Sequence, residues 1–194
     1  MDSQIRRVFL VVGPECSGNH IVKRLFLQAN VWGDYDYVQR LDDFLFKKKK
    51  LSEIIGDWQG DILHGDSMPA RDYEFTDWVE CTRRYEQEGY AVHWVIPVRN
   101  YLCTAGSKLN RGMTRERDLV HQLQEEYRTI FSQLVMHGGH FYLLPLTTLF
   151  EHPRYIFAEI KSIYGLDVPL KLEDKLYDAD KKHRLEVEGS QETG

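Results

Sequence analysis

The residues of this sequence best suited to chemistry lie in a glycine-bounded turn near its start. Gly13 and Gly18 are separated by four residues, which is the spacing of the first half of a phosphate-binding loop, G-x-x-x-x-G. The lysine and the hydroxyl residue that complete that pattern are replaced by Asn19 and His20. The turn therefore keeps the glycines of a phosphate loop but lacks the cation that usually reaches the β and γ phosphates.

An anion is still the expected ligand of this turn. Backbone N–H groups in a turn that opens a helix point toward one site, and the helix dipole adds about half a positive charge there. Glycine permits close approach of a ligand because it has no side chain. An ordinary ATPase or kinase is less favoured without the lysine and the magnesium-binding hydroxyl. A strand-to-helix turn without any ligand stays open as the alternative.

Hydrophobic patterning predicts the elements that must position this turn. Residues 8–12 form an apolar run that predicts a strand, and residues 21–27 have the spacing of an amphipathic helix. Further strands are predicted within residues 60–69, at residues 90–96 and at residues 141–146, with helices between and after them. Strands that alternate with helices predict an α/β fold, in this case a three-layer P-loop-type fold with a mostly parallel central sheet flanked by helices.

Length and charge suggest how the chain is divided. The 194 residues suffice for one substantial core, and a single domain is expected over residues 1–170. Residues 171–194 are rich in charge, and the end of this segment is predicted to be flexible. The four lysines at residues 47–50 point around a predicted helix, so they are interpreted as solvated surface.

Composition argues against several classes of function. The formal net charge of −5 disfavours a general nucleic-acid binder, and no apolar run approaches the roughly 20 residues that span a bilayer. Cys16, Cys81 and Cys103 are scattered and form no C-x-x-C pair, which favours a reducing compartment. We therefore expect a soluble cytoplasmic protein without a membrane partner. His137 and His140 flank two glycines, which indicates a helix-to-strand turn rather than a metal site.

Three segments together resemble the P-loop sulfotransferase family, whose members transfer a sulfuryl group from 3′-phosphoadenosine 5′-phosphosulfate to an acceptor. In the opening loop, Ser17 and Gly18 match the family sequence around the 5′-phosphosulfate. At the end of the central predicted strand, Arg99 is followed eight positions later by Ser107, as in the family's 3′-phosphate motif. Residues 146–166 are similar to the family's closing pattern of proline, helix and glycine.

The resemblance implies a metal-independent sulfotransferase that uses 3′-phosphoadenosine 5′-phosphosulfate as donor and a small molecule, glycan or peptide as acceptor. Arg99 and Ser107 would hold the 3′-phosphate, because a guanidinium offers a planar fork of donors to phosphate oxygens. The basic residues 181–184 could close over the same phosphate or form a solvated tail. The loop residues that the resemblance assigns to donor binding are Gly13, Pro14, Cys16, Ser17, Gly18, Asn19 and His20.

Two histidines are the candidate catalytic residues. Cys16 stands where the family carries a basic residue, so we expect His20, at the start of the helix, to donate to the phosphosulfate. Lys23 and Arg24 are alternatives further along the helix. His64 is the predicted base, because it closes a predicted strand near the loop and an imidazole titrates near neutral pH.

Three alternatives stay open. The role of base could fall to Asp66 or Glu15. The chain could instead be a magnesium-dependent nucleotide kinase or hydrolase with a degenerate loop, although Asn19, His20 and the lack of an aspartate at the end of the central strand count against it. It could also be a catalytically inactive nucleotide-binding protein of the same fold, which Cys16 favours.

Overall fold

A computed structural model describes residues 5–14, 16–33, 41, 44, 49–68, 77–112 and 116–172 of the chain. Its sheet consists of strands β1 (Arg7–Pro14), β2 (Ile62–Met68), β3 (Ala91–Val98) and β4 (His140–Pro145). The strands lie in the order β2-β1-β3-β4, and every neighbouring pair is parallel. The predicted α/β class and its parallel central sheet are confirmed.

Helices connect the strands and cover the sheet on both faces. In the described residues they are α1 (Asn19–Gln28), α2 (Leu51–Ile55), α3 (Trp78–Gln87), α4 (Tyr101–Asn110), α5 (Glu116–His137), α6 (Leu146–Glu151) and α7 (Pro153–Tyr164). No helix among them combines the length and the apolarity needed to cross a membrane.

Strand β1, one of the two inner strands, separates the apolar core into two layers. Phe9 and Val11 pack with residues of α1, α6 and α7 on one face of the sheet. Val8, Leu10 and Val12 pack with residues of α2, α3 and α5 on the other face. Successive side chains of a strand point to opposite faces, so a continuous apolar run such as β1 is the expected pattern for a sheet that is covered on both sides.

The connections that follow the adjacent strands β1 and β3 run in opposite directions along the sheet. After β1 the chain passes to β2 on one side, and after β3 it passes to β4 on the other. Since β1 and β3 are neighbours, a crevice opens between the segments that follow them. In open parallel sheets such a switch point is where ligands bind.

The two-histidine turn is confirmed as a junction between elements. Helix α5 ends at His137 and β4 begins at His140. The two imidazoles pack on different partners: His137 stacks on Trp94, with ring centroids 6.2 Å apart, and His140 stacks on His93 at 5.2 Å. Within the described ranges, no three His, Cys, Asp or Glu residues group as metal ligands.

Candidate functional site

The segment between β1 and α1 is a tight loop with two left-handed residues. Cys16 has a φ of 66° and Gly18 a φ of 101°. A hydrogen bond of 3.1 Å from the Ser17 N–H to the Pro14 carbonyl closes the turn. Gly18 is the N-cap of α1, so no side-chain oxygen caps the helix, and its first turn carries no acidic residue. The positive end of the helix dipole is therefore not neutralised by the helix's own side chains.

Asn19 stabilises the loop from within. Its side-chain amide donates to the carbonyl oxygens of Gly13 and Pro14, each at 3.1 Å, and the residue is buried. A Cβ at Gly13 would lie 2.6 Å from both Ser17 Oγ and Asn19 Oδ1, so this position requires glycine. The position that holds lysine in a magnesium-dependent phosphate loop thus has a structural role in this chain.

The loop borders a pocket of about 100 Å³ at the switch point between β1 and β3. The loop and the start of α1 form one wall, the end of β3 and α4 form a second, and α6 adds an apolar third. The lining residues are Cys16, Gly18, Asn19, His20, Ile21, Arg99, Ser107, Arg111, Leu146 and Phe150.

Most of the residues that the sequence assigns to donor binding meet in this pocket. Gly13, Pro14 and Ser17 do not line it but lie buried at the base of the loop. Ser17 Oγ is fully buried and has no hydrogen-bond partner among the described residues. The predicted residues that do line the pocket are Cys16, Gly18, Asn19, His20, Arg99 and Ser107.

Arg99 connects the end of β3 to the loop. Val95 pairs with Val11 in the sheet, so the residues that follow β3 emerge beside those that follow β1. The Arg99 side chain crosses this gap, and its Nη1 donates to the Cys16 carbonyl oxygen at 3.0 Å. A guanidinium has five N–H donors, so this bond uses only one of them.

Arg111 is a pocket residue that the sequence analysis missed. It lies at the C-cap of α4, where its backbone N–H donates to the Ser107 carbonyl at 3.3 Å. Residues four apart share one face of a helix, so Ser107 and Arg111 reach the pocket together. The interval of four residues from Ser107 to Arg111 was the signal in the sequence that could have identified Arg111. The apolar lining residues Ile21, Leu146 and Phe150 carry no pattern that would distinguish them from ordinary core residues.

Two interactions hold α4 in place. The Asn100 side chain caps the helix by accepting a hydrogen bond of 2.8 Å from a first-turn N–H. Lys108 Nζ lies 2.7 Å from Glu126 Oε1 of α5, and both side chains are almost completely buried. Removing one partner of such a pair would leave an uncompensated buried charge, so the pair constrains how α4 packs on α5. The helix that carries Ser107 is thereby fixed in position.

The pocket is electropositive. Its described lining contains two arginines and a histidine but no carboxylate. Among the described residues, no carboxylate pairs with Arg99 or Arg111. Burial and the Glu126 carboxylate raise the pKa of Tyr127, whereas the positive charge of Arg99 lowers the pKa of Tyr127. A volume of about 100 Å³ suits the phosphate groups of a ligand, and a nucleotide that carries them would extend beyond it, since pockets for whole ligands are several times larger.

The prediction that His64 closes a strand is wrong. Strand β2 pairs with β1 as far as Met68, and His64 is paired with Leu10, about 10 Å before Gly13 along β1. Its imidazole is 2% exposed and lies in the core, with Nδ1 3.0 Å from the Tyr85 hydroxyl oxygen. The ring packs against Trp78 and Tyr85 of α3 and does not line the pocket, so the structure does not bring His64 to it.

Of the alternative candidates, the structure describes Lys23, Arg24 and the backbone of Asp66. Lys23 is buried, whereas Arg24 is exposed, and neither lines the pocket. Asp66 belongs to β2, in register with Val12, and the structure describes its backbone alone. Glu15 and the basic residues 181–184 lie outside the described residues.

Comparison with models of known protein families gives no match, and comparison with curated proteins gives no significant match.

Proposed function

We propose that this chain is a sulfotransferase that moves a sulfuryl group from 3′-phosphoadenosine 5′-phosphosulfate to a hydroxyl or amine of a small molecule, glycan or peptide. The observation that carries the proposal is the convergence of the opening loop with Arg99 and Ser107 on one pocket at the switch point. Arg99 and Cys16 are 83 residues apart in the chain, so their contact comes from the fold and not from local sequence.

The residues present suit such a donor. A loop that lacks a side chain at Gly13 and Gly18 lets an anionic group approach the backbone at the start of α1. The guanidinium groups of Arg99 and Arg111 and the hydroxyl of Ser107 add donors suited to phosphate oxygens. The donor, when bound, would supply the sulfuryl group and a phosphate leaving group.

In the proposed reaction, an acceptor oxygen or nitrogen attacks sulfur, the bond from sulfur to the bridging phosphate oxygen breaks, and the acceptor loses its proton to a base. Charge develops on the departing phosphate, where fixed donors are most effective. His20 is the pocket imidazole that could donate there, as predicted from the sequence. The role of base predicted for His64 gains no support, because that imidazole is buried in the core and does not line the pocket.

Thermal unfolding with nucleotides tests the proposal. Adenosine 3′,5′-bisphosphate should raise the Tm of the wild-type protein, because a ligand at 100 times its Kd adds about 2.7 kcal/mol to the stability of the native state. Arg99→Ala should abolish this shift, and the exposed Arg128→Ala should retain it. A shift with ATP and magnesium but none with the bisphosphate would instead indicate a kinase or hydrolase.

A catalytically inactive nucleotide-binding protein is the second candidate, favoured by Cys16 at the position of the family's basic residue. The two candidates share the nucleotide site but differ in turnover. Release of adenosine 3′,5′-bisphosphate from the labelled donor, with transfer of the label to an acceptor, would support the enzyme. Binding without release across hydroxyl and amine acceptors would support the inactive protein.

A further inference from the structure

Strand β4 forms one edge of the sheet, and its outer side has no paired strand in the part of the chain that the structure describes. The opposite edge differs, because Trp32 forms a parallel bridge with Ile62 beside β2. Sheets usually protect an open edge with charged residues, bulges or a covering segment. Residues 141–145 of β4 carry no charge, and the only proline among them, Pro145, is the last residue of the strand. The edge is therefore suited to pairing with another strand.

One face of β4 is apolar and exposed. Phe141 and Leu143 are 54% and 41% exposed. Their register partners in β3 are Trp94 and Ile96, which are fully buried in the core layer that includes residues of α5. The apolar layer on this side of the sheet thus continues past β3 onto β4, where it stays partly open to solvent.

Helix α5 borders this exposed strip. Gln133 accepts a hydrogen bond of 2.8 Å from the Trp78 N–H, so that side of α5 faces α3. Since His64 of β2 packs on α3, the helix α3 covers the β2 side of the sheet, and the other side of α5 is turned toward β4. Phe131 and Val135 lie on that other side and are both exposed. The strip on β4 and this side of α5 together form one apolar surface.

We propose that a second copy of this chain binds at this surface, with the two β4 strands paired antiparallel about a twofold axis. Such an axis is perpendicular to the sheet, so the two α5 helices lie on the same side of one continuous sheet. Facing side chains of paired strands have Cβ atoms about 4.5–5.5 Å apart, which lets Phe141 and Leu143 of the two copies pack on each other. Because residues 141–145 carry no charge, this contact places no like charges together, although each copy has a formal net charge of −5.

The C-terminal residues of the chain are less suited to this surface than a second copy. Leu172, the last described residue, is buried in the core layer on the other face of the sheet. Of the 22 residues from 173 to 194, 11 are Asp, Glu, Lys or Arg. Charged residues gain nothing from an apolar surface and lose hydration on it. A second copy brings an identical apolar strand, as a twofold interface requires.

The proposed dimer leaves the pocket of each copy complete. Antiparallel pairing turns the carboxyl ends of the strands in the two copies toward opposite edges of the joint sheet. Each pocket lies beyond the carboxyl ends of β1 and β3, and its described lining contains no residue of β4. The inference is therefore independent of the proposed function.

Analytical ultracentrifugation of the full chain at micromolar concentrations tests the interface. Wild type should sediment as a dimer, with twice the chain mass of 22.9 kDa. Leu143→Glu should weaken association by at least about 100-fold, because like charges would face each other near the axis. Ile163→Glu is the matched control, since Ile163 is a similarly exposed residue of α7, and it should dimerise as wild type does. Leu143→Thr serves if Leu143→Glu loses its cooperative unfolding transition, and it should weaken association by about 10-fold.

Hydrogen exchange locates the contact. Amides of β4 should exchange more slowly in wild type than in Leu143→Glu, whereas amides of the inner strand β1 should exchange alike in both. A monomeric wild type would overturn the proposal, and slow exchange of β4 in that monomer would indicate that another segment of the chain covers the edge. A dimer that Leu143→Glu leaves intact, or that both glutamate variants disrupt alike, would also overturn it.

Discussion

Backbone conformation at Cys16 and Gly18 shapes the opening loop. Both residues occupy the left-handed region, which glycine adopts freely but which costs another residue roughly 1–2 kcal/mol. The sequence places glycine at one of these positions and cysteine at the other. A strained conformation of this kind persists only when its surroundings hold it, and here Arg99 bonds to the carbonyl of Cys16. The loop and its neighbouring arginine therefore form one structural unit.

Gly18→Ala should lower the free energy of unfolding by about 2–4 kcal/mol, since the left-handed φ and a steric clash act together. An added Cβ at Gly18 would lie 2.1 Å from Leu146 Cδ1. Gly165→Ala is the matched control, because its φ is also left-handed, at 69°, but nothing lies within 4 Å of the added atom. Urea denaturation should show a loss of only about 1 kcal/mol for the control. Equal losses would mean that the contact with Leu146 is relieved without cost.

At the scale of residues, the sequence predicted which polar side chains line the pocket better than it predicted where the fold places each residue. Glycine spacing and the interval from Arg99 to Ser107 identified residues that do line it. The local pattern also predicts a strand end at His64, because the polar residues after it are typical of a turn. Pairing with β1 extends the strand through those residues, and that tertiary contact cannot be read from local pattern.

At the scale of elements, the junction of β3 with β4 contains a pair of stacked imidazoles. His93 and His140 are register partners with ring centroids 5.2 Å apart, and Tyr164 meets His93 edge-on at 5.4 Å. Burial lowers the pKa of His93, and the nearby His140 and Arg7 lower it further, while Asp61 opposes them. Protonation of His93 is therefore disfavoured in the folded state.

This depressed pKa predicts that the protein loses stability in mild acid. The contribution of His93 is fully present above the unfolded histidine pKa of about 6.5 and is lost as the pH falls toward the lower folded-state pKa, because the unfolded chain then binds more protons. Urea denaturation from pH 8 to pH 5 should show this fall. His93→Phe keeps an aromatic ring without a titrating group and should flatten the profile. An unchanged profile in the variant would assign the acid sensitivity to other groups.

Element types were predictable from periodicity, but their arrangement was not. The apolar run of β1 and the spacing of α1 and α7 each specify a local structure. The position of Arg111 beside Ser107, by contrast, depends on how α4 packs on α5, through the buried Lys108–Glu126 pair and an apolar cluster of Ala105, Leu119 and Leu123. Lys108 and Glu126 are 18 residues apart in sequence, and neither carries a local signal of its partner.

At the scale of the whole molecule, the order of the strands creates the site. With β1 next to β3, the loop after β1 and the helix after β3 meet at one edge of the sheet. A different strand order would leave the same residues in the same elements but separate Arg99 from Cys16. Strand order depends on non-local pairing, so the sequence could predict the motifs but not their meeting point.

The central claim is that this meeting point binds a bisphosphorylated adenosine through both of its phosphates. The most direct measurement is a crystal structure of the protein with saturating adenosine 3′,5′-bisphosphate. We expect the 5′-phosphate within about 3 Å of N–H groups at the start of α1, and the 3′-phosphate at the same distance from Arg99 and Ser107. A nucleotide bound elsewhere, or none bound at saturation, would contradict the account.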